Sequence, residues 1–497
     1  MVKMAMMLLV ACIISWGSWG KSEGPRKLTM EIHHRFSERV KKVIGGSEGL
    51  PEKDSFEYYK ALVDGDRALR GRRLASSAAN NHTTLTFADG NSTRQITYLH
   101  YANVTVGTPP QWFLVALDTG SDLFWLPCNC SSTCLRTFET DNGELVDVNI
   151  YDPSKSRSSA KVACNHTMCP SRDVCLSPVS DCPYKVEYLS KNTTASGVLV
   201  EDMLHLTSED SKSSVHAPII LGCSKSQEGL FREEAVNGLM GLGVEEIGVP
   251  AMLSKAGLVP SDSFSMCFGP NGSGTISFGD KGSSDQRQAP LNLSPLPFYS
   301  VTISRIGVGG ATVDVEFSAI FDSGTAVTWL LEPFYSHLTS NFDRSVTDRR
   351  IPSGSDNPFD FCYLITSLSD PRNIPTIDFK MKDGDVYHVF DPVLVFSTSN
   401  GGAAYCLAVI KQDDSAINII GQNFMTNYRI VHDRERMMLG WRESDCYDES
   451  DSTRPLSSPV GPFFAPPPPP LSSFISAGLC SKPLPSLLFL LILSLLM

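Results

Sequence analysis

Residues 113–127 read FLVALDTGSDLFWLP. An apolar run delivers one acidic side chain, Asp118, into a Thr119-Gly120-Ser121 turn, and the chain turns apolar again through Trp125 and Pro127. Burying an ionised carboxylate is costly unless it is paired or its pKa moves. A three-residue D-T-G is a short pattern that a chain of 497 residues often contains by chance. Taken alone, Asp118 reads as a turn residue closing a strand.

The stretch recurs. Residues 318–332, SAIFDSGTAVTWLLE, place Asp322 after an apolar run and before Ser-Gly-Thr. Aligning Asp118 with Asp322 sets Thr119 on Ser323, Gly120 on Gly324, Ser121 on Thr325, Trp125 on Trp329 and Leu126 on Leu330. Each copy is followed by two hydrophobic residues and a glycine, in GLMGLG (238–243) after the first and NIIGQ (418–422) after the second. Two ordered copies, each with its own partner segment, mark an internal duplication. Two carboxylates brought together cannot both ionise easily, so their titrations split and the pair holds one proton over a range of pH. Such a pair can deprotonate a water and protonate a carbonyl without a metal or a nucleophilic side chain.

On these motifs the chain resembles the pepsin family of aspartic proteases over roughly residues 97–446. The Cys-rich insertion between Cys128 and Cys182 is similar to that of nepenthesin-type plant members, and no saposin-like insert is present. The resemblance implies an all-β, bilobal fold whose two lobes are related by a pseudo-two-fold axis, with Asp118 and Asp322 as the catalytic dyad. It implies that the hydroxyls of Thr119 and Ser323 tie the two loops together, that Ser121 and Thr325 bond the aspartates, and that Gly120 and Gly324 allow close approach. CPYKVEYLSKNTTASGVL (182–199) resembles the flap hairpin, with Tyr188 as its tyrosine and Trp125 as the indole partner. It lacks the Gly-Asp-Gly-Ser that follows this tyrosine in plant members, and Ser323 stands where pepsin has Thr.

The rest of the chain fits a secreted protein. MVKMAMMLLVACIISWGSWG (1–20) has a basic start, an apolar core and small residues near a cleavage point, the order of a signal peptide. Residues 21–95 read as a propeptide and N-terminal extension. Within them, 21–73 hold 13 Lys/Arg and 9 Asp/Glu, so a leader of net charge +4 precedes a body whose remainder sums to −16, and docking by charge is expected. RALRGRRL (67–74) is a candidate processing site. Short Val-, Ile-, Thr- and aromatic-rich runs between Gly, Pro, Asn and Ser turns then give an all-β texture. They divide into lobes at 96–296 and 297–446, with a helix expected near 332–344. GVGG (307–310) reads as a β-turn, because no Lys-Ser/Thr follows as in a phosphate loop.

Of 14 cysteines, Cys12 lies in the signal and Cys480 in the tail. The other twelve are disulfide candidates in an oxidising compartment: Cys128, Cys130, Cys134, Cys164, Cys169, Cys175, Cys182 and Cys223 early, then Cys267, Cys362, Cys406 and Cys446. A zinc reading of Cys164, His166 and Cys169 matches no zinc-site spacing; neither metal nor cofactor is expected. Glycosylation candidates are Asn81, Asn91, Asn165, Asn192, Asn271 and Asn292, with Asn103 and Asn129 set aside for their strand-like and Cys-flanked positions. A Pro/Ser-rich stalk (447–476) contains five prolines, Pro466–Pro470. In the tail, 477–497, the last 11 residues would span only about 17 Å as a helix. Small residues, spacer and apolar end are the order of a GPI signal, with Ser476 the attachment candidate.

The net charge of −12 argues against nucleic acid as a partner. The expected function is a secreted or cell-surface aspartic endopeptidase, monomeric, acting on peptide or protein substrates at acid pH and held to the outer plasma membrane by a GPI anchor. The alternative is a non-catalytic binding or inhibitor protein on the same fold. A structural surface glycoprotein would explain the stalk and sequons but not the duplicated motif.

Overall fold

The apolar runs leading to the two aspartates lie inside two sheets. Strand Gln111–Asp118 is buried from Phe113 onward, the pattern of a strand covered on both faces. It pairs in parallel with Leu239–Gly241, which also meets Trp125–Pro127; that strand pairs in parallel with Ser214–Glu228. The second half repeats this. Ala311–Phe321 pairs in parallel with Asn418–Ile420, which meets Thr328–Leu330, itself paired in parallel with Val409–Lys411. The register is the same: Leu239 faces Ala116 and Trp125, and Ile419 faces Ile320 and Trp329. Both partner segments need glycine. A Cβ on Gly241 would sit 2.3 Å from the Asp122 carbonyl carbon, and one on Gly421 2.5 Å from the Val327 oxygen.

The computed structural model describes residues 25–446 except 35–36, 38–39, 41–54, 71–99, 129–136, 140–144, 148, 189–192, 208–213, 230, 232–236, 270–271, 295–296, 353–356, 366–373, 399–401 and 413–416. The signal segment, Asn81, Asn91, Asn129, Asn192, Asn271, Cys130, Cys134, Ser476, the stalk and the tail lie outside the described residues. Among the described residues no helix is long and apolar enough to cross a membrane.

A 14-stranded sheet and a 7-stranded sheet carry the two lobes. The larger also takes strands from the second half of the chain: Tyr428–Asp433 pairs with Ser263–Phe268 and with Met438–Glu443. A 4-stranded sheet carries the Cys362–Cys406 bridge. Helix Phe334–Ser345 forms close to where 332–344 predicts it. Gly309 and Gly310, both with positive φ, make the hairpin turn expected at GVGG.

Residues 28–34 dock as a strand. Strand Leu28–His34 lies within the large sheet, between Ser273–Phe278 and His100–Val106, with Leu28 and Ile32 buried. Just before the strand, Lys27 pairs at 3.1 Å with Asp280, a fully buried carboxylate that also meets Arg429 and accepts from the Ser265 hydroxyl. Burying a Leu or Ile side chain contributes roughly 1.5–3 kcal/mol. Apolar burial, main-chain pairing and this ion pair together hold the strand.

Five disulfides close among the described residues: Cys128–Cys223, Cys164–Cys175, Cys169–Cys182, Cys267–Cys446 and Cys362–Cys406. Every pair stays within its own half of the cysteine set. Cys164 and Cys169 are thus bridged rather than free thiolates, which overturns the zinc reading of that cluster. Asn165 is exposed and Asn292 partly so, while Asn103 points outward from its strand.

Candidate active site

Each parallel strand pair ends at its aspartate or one residue before it, and the following turn folds back on the carboxylate. In the first lobe the Gly120 N–H donates to Asp118 Oδ1 at 2.9 Å and the Ser121 hydroxyl to Oδ2 at 2.6 Å. In the second the Gly324 N–H donates to Asp322 Oδ1 at 2.8 Å and the Thr325 hydroxyl to Oδ2 at 2.6 Å. The sets match atom for atom. A Cβ on Gly120 would lie 3.1 Å from Asp118 Oδ1 and 3.2 Å from Asp322 Oδ1; one on Gly324, 2.5 and 3.1 Å from the same atoms. Both carboxylates therefore converge on one place, and both glycines border it.

The loops are cross-tied. The Thr119 N–H donates to Ser323 Oγ at 3.1 Å, and the Ser323 N–H to Thr119 Oγ1 at 2.9 Å. Each hydroxyl then donates across to the other lobe, Thr119 to the Phe321 carbonyl at 3.2 Å and Ser323 to the Leu117 carbonyl at 3.3 Å. Ser323 retains the hydroxyl, so its departure from Thr leaves the tie intact.

Asp118 is 8% exposed and Asp322 7%. Burial first, and the charge of Asp322 second, push the Asp118 carboxyl up to about 7, against the opposing pull of Ser121 and Gly120. The pair gives up its protons in two steps that belong to both groups. Between those steps it holds one proton, the state that can act as acid and base together.

Strands Pro183–Glu187 and Thr194–Thr207 form an antiparallel hairpin, closed next to Tyr188 by its N–H donating to the Thr193 carbonyl at 3.1 Å. The Trp125 indole donates to the Tyr188 hydroxyl at 2.7 Å. Burial, then the charge on Asp118, raise the phenol's pKa, so it stays protonated.

The structure adds residues that the sequence reading did not assign. Phe231 packs edge-on against Trp125 and Tyr188, with ring centroids 5.0 and 4.8 Å away. Gln422, the last residue of NIIGQ, donates its amide to the Ser323 carbonyl, and its Oε1 lies 2.9 Å from His100 Nδ1. Burial holds the His100 imidazole down to about 4. Asp66, in helix Phe56–Arg70, reaches the loop after Thr325. Only the residues of NIIGQ carried a signal, since their match to GLMGLG was already visible.

Comparison with known proteins places this geometry. Residues 100–280 match a family model described as xylanase inhibitor N-terminal, and 298–443 one described as xylanase inhibitor C-terminal. The chain is 48% identical to aspartyl protease family protein 1 of Arabidopsis thaliana, over 91% of this chain and 87% of that one. It is 25% identical to aspartic proteinase nepenthesin-1 of Nepenthes gracilis, over 78% of this chain and 85% of the other. The crystal structure of basic 7S globulin from soybean shares the fold at a TM-score of 0.55 and 21% identity, covering 70% of this chain and 94% of that one.

Proposed function

The chain belongs to the pepsin-like aspartyl protease family of plants, and on that premise we propose that it is an active aspartic endopeptidase working in acid. The observation that carries this reading is the mirrored hydrogen-bond set around Asp118 and Asp322, complete in both lobes. One carboxylate takes a proton from a water as the water oxygen bonds to the scissile carbonyl carbon. The other protonates the carbonyl oxygen. Collapse of the resulting gem-diol breaks the C–N bond: the leaving nitrogen takes a proton from the pair, and one gem-diol hydroxyl gives its proton back to the other carboxylate, which restores the singly protonated pair. Tyr188, held by Trp125, serves as the flap residue over the bound peptide.

The descriptions of the two family models support a second reading, a non-catalytic binding or inhibitor protein. One assay separates the two. Full-length protein, acidified, is incubated with a denatured protein substrate with and without pepstatin, beside an Asp118→Asn variant. Pepstatin-sensitive cleavage that the variant lacks is expected. No cleavage anywhere between pH 3 and 6 would overturn the peptidase reading in favour of the second.

The cellular setting belongs to the same proposal. The signal segment directs the chain to the secretory pathway, the segment before residue 96 acts as a removable leader, and a GPI anchor at Ser476 holds the protein at the outer cell surface. Treating intact cells with phosphatidylinositol-specific phospholipase should release it. Retention, with a 487–497 peptide recovered from the mature protein, refutes the anchor alone.

A further inference from the structure

Helix Phe56–Arg70 sends one carboxylate into the second lobe. Asp66, 3% exposed, accepts from the Ala326 N–H and the Val327 N–H, each at 2.9 Å, and from the Trp329 indole at 3.2 Å. Ala326 directly follows Thr325, whose hydroxyl bonds Asp322. Around this contact, Tyr58, Leu62 and Val63 pack with Ile320, Val327, Trp329 and Ile419.

The helix lies against the loop that carries Asp322, because Asp66 accepts from the two N–H groups that follow Thr325. The duplication gives a second sign. Trp125 donates its indole N–H to the Tyr188 hydroxyl of the hairpin, while its counterpart Trp329 donates to Asp66. The helix thus supplies the acceptor for the second-lobe indole, as the hairpin does for the first.

We propose that the main-chain N–H groups of Ala326 and Val327, with the indole N–H of Trp329, form a carboxylate-binding subsite of the cleft, filled by Asp66 in the uncleaved chain and by an Asp or Glu side chain of the peptide substrate afterwards. This rests on the reading of the chain as a peptidase with a removable leader. Departure of the leader removes a charged acceptor from three donors in a largely buried setting, where an unmet N–H is costly. Hydrogen bonds to a charged acceptor are the stronger kind, so the subsite selects a carboxylate over its amide.

The test uses full-length protein after acid processing, with peptide pairs that differ only by Asp or Asn at each position around the scissile bond. At pH 5 an unperturbed Asp side chain is ionised. At one position kcat/KM should favour Asp by about tenfold, and Trp329→Phe should cut that ratio several-fold. Because the readout is a ratio, general loss of active protein does not imitate it. A second measurement does not depend on the variant folding. A synthetic 55–70 peptide should inhibit wild-type cleavage about tenfold better than the same peptide carrying Asp66→Asn. Cleavage with Asp:Asn ratios near one at every position, or equal inhibition by the two leader peptides, overturns the subsite and leaves the peptidase standing. Absence of cleavage of any peptide overturns the peptidase reading, and the subsite with it.

Discussion

Thr119 and Ser323, 204 residues apart, each accept the other's backbone N–H on a side-chain hydroxyl. The exchange fixes the separation of the two aspartates that precede them. Ser323→Ala removes one acceptor and leaves the buried Thr119 N–H unmet, at a cost of about 1–3 kcal/mol. We expect kcat to fall by roughly tenfold or more, because misplacing either carboxylate weakens the shared proton. Ser323→Thr should retain most activity. Equal losses in the two variants would show that the hydroxyl is not what matters.

Asp118 makes the second prediction. Its carboxyl is raised from 3.8 to about 7, so the folded protein binds a proton there that the unfolded chain has released. Stability from this group is therefore undiminished below pH 4 and lost as pH rises toward 7. Asp118→Asn should be inactive at every pH, yet more stable than wild type at pH 8, by at most about 4 kcal/mol for three pKa units. At pH 4 the gain should vanish. Thermal unfolding at both values checks this, and an equal difference at each refutes it. Wild-type activity should decline as pH passes through about 7.

The dyad was legible because duplication repeats a whole local grammar: apolar strand, Asp, hydroxyl, Gly, hydroxyl, then Trp seven residues on. Parallel pairing with GLMGLG and NIIGQ follows from the need to cover such strands. Asp66 was not legible. It is one acid among nine in 21–73, and its role depends on a tertiary contact 260 residues away. Phe231 gave no periodic signal, since it meets Trp125 and Tyr188 only once the hairpin folds over. Net charge says nothing of the strand at 28–34, whose sign in the sequence is the Leu28, Met30 and Ile32 alternation.

Tyr188→Phe is the third prediction. It strands the Trp125 indole N–H, whose acceptor at 2.7 Å is the phenol oxygen. Phe keeps the ring that packs on Phe231, so the fold should hold within about 1–3 kcal/mol. We expect kcat/KM on peptides to drop about tenfold because the ring at 188 is no longer held by Trp125. A variant with unchanged kcat/KM would remove Tyr188 from substrate handling.

His432 supplies the last prediction. Its ring stacks on Phe264 at 4.6 Å and meets Tyr299 edge-on at 4.5 Å. Among the described residues neither ring nitrogen has a hydrogen-bond partner. Burial first, then Arg434, hold the imidazole down to about 3. In acid the unfolded chain protonates this histidine below its ordinary 6.5, while the folded chain keeps it neutral. Stability from this group is thus whole at pH 8 and lost as pH falls from 6.5 toward 3. At pH 5 the loss is about 2 kcal/mol, for a gap of one and a half units. His432→Phe keeps the stacking and removes the titration. It should raise Tm relative to wild type at pH 5 and leave it close to wild type at pH 8. A Tm gain that is the same at both values would trace the effect to packing, and the titration account would fail.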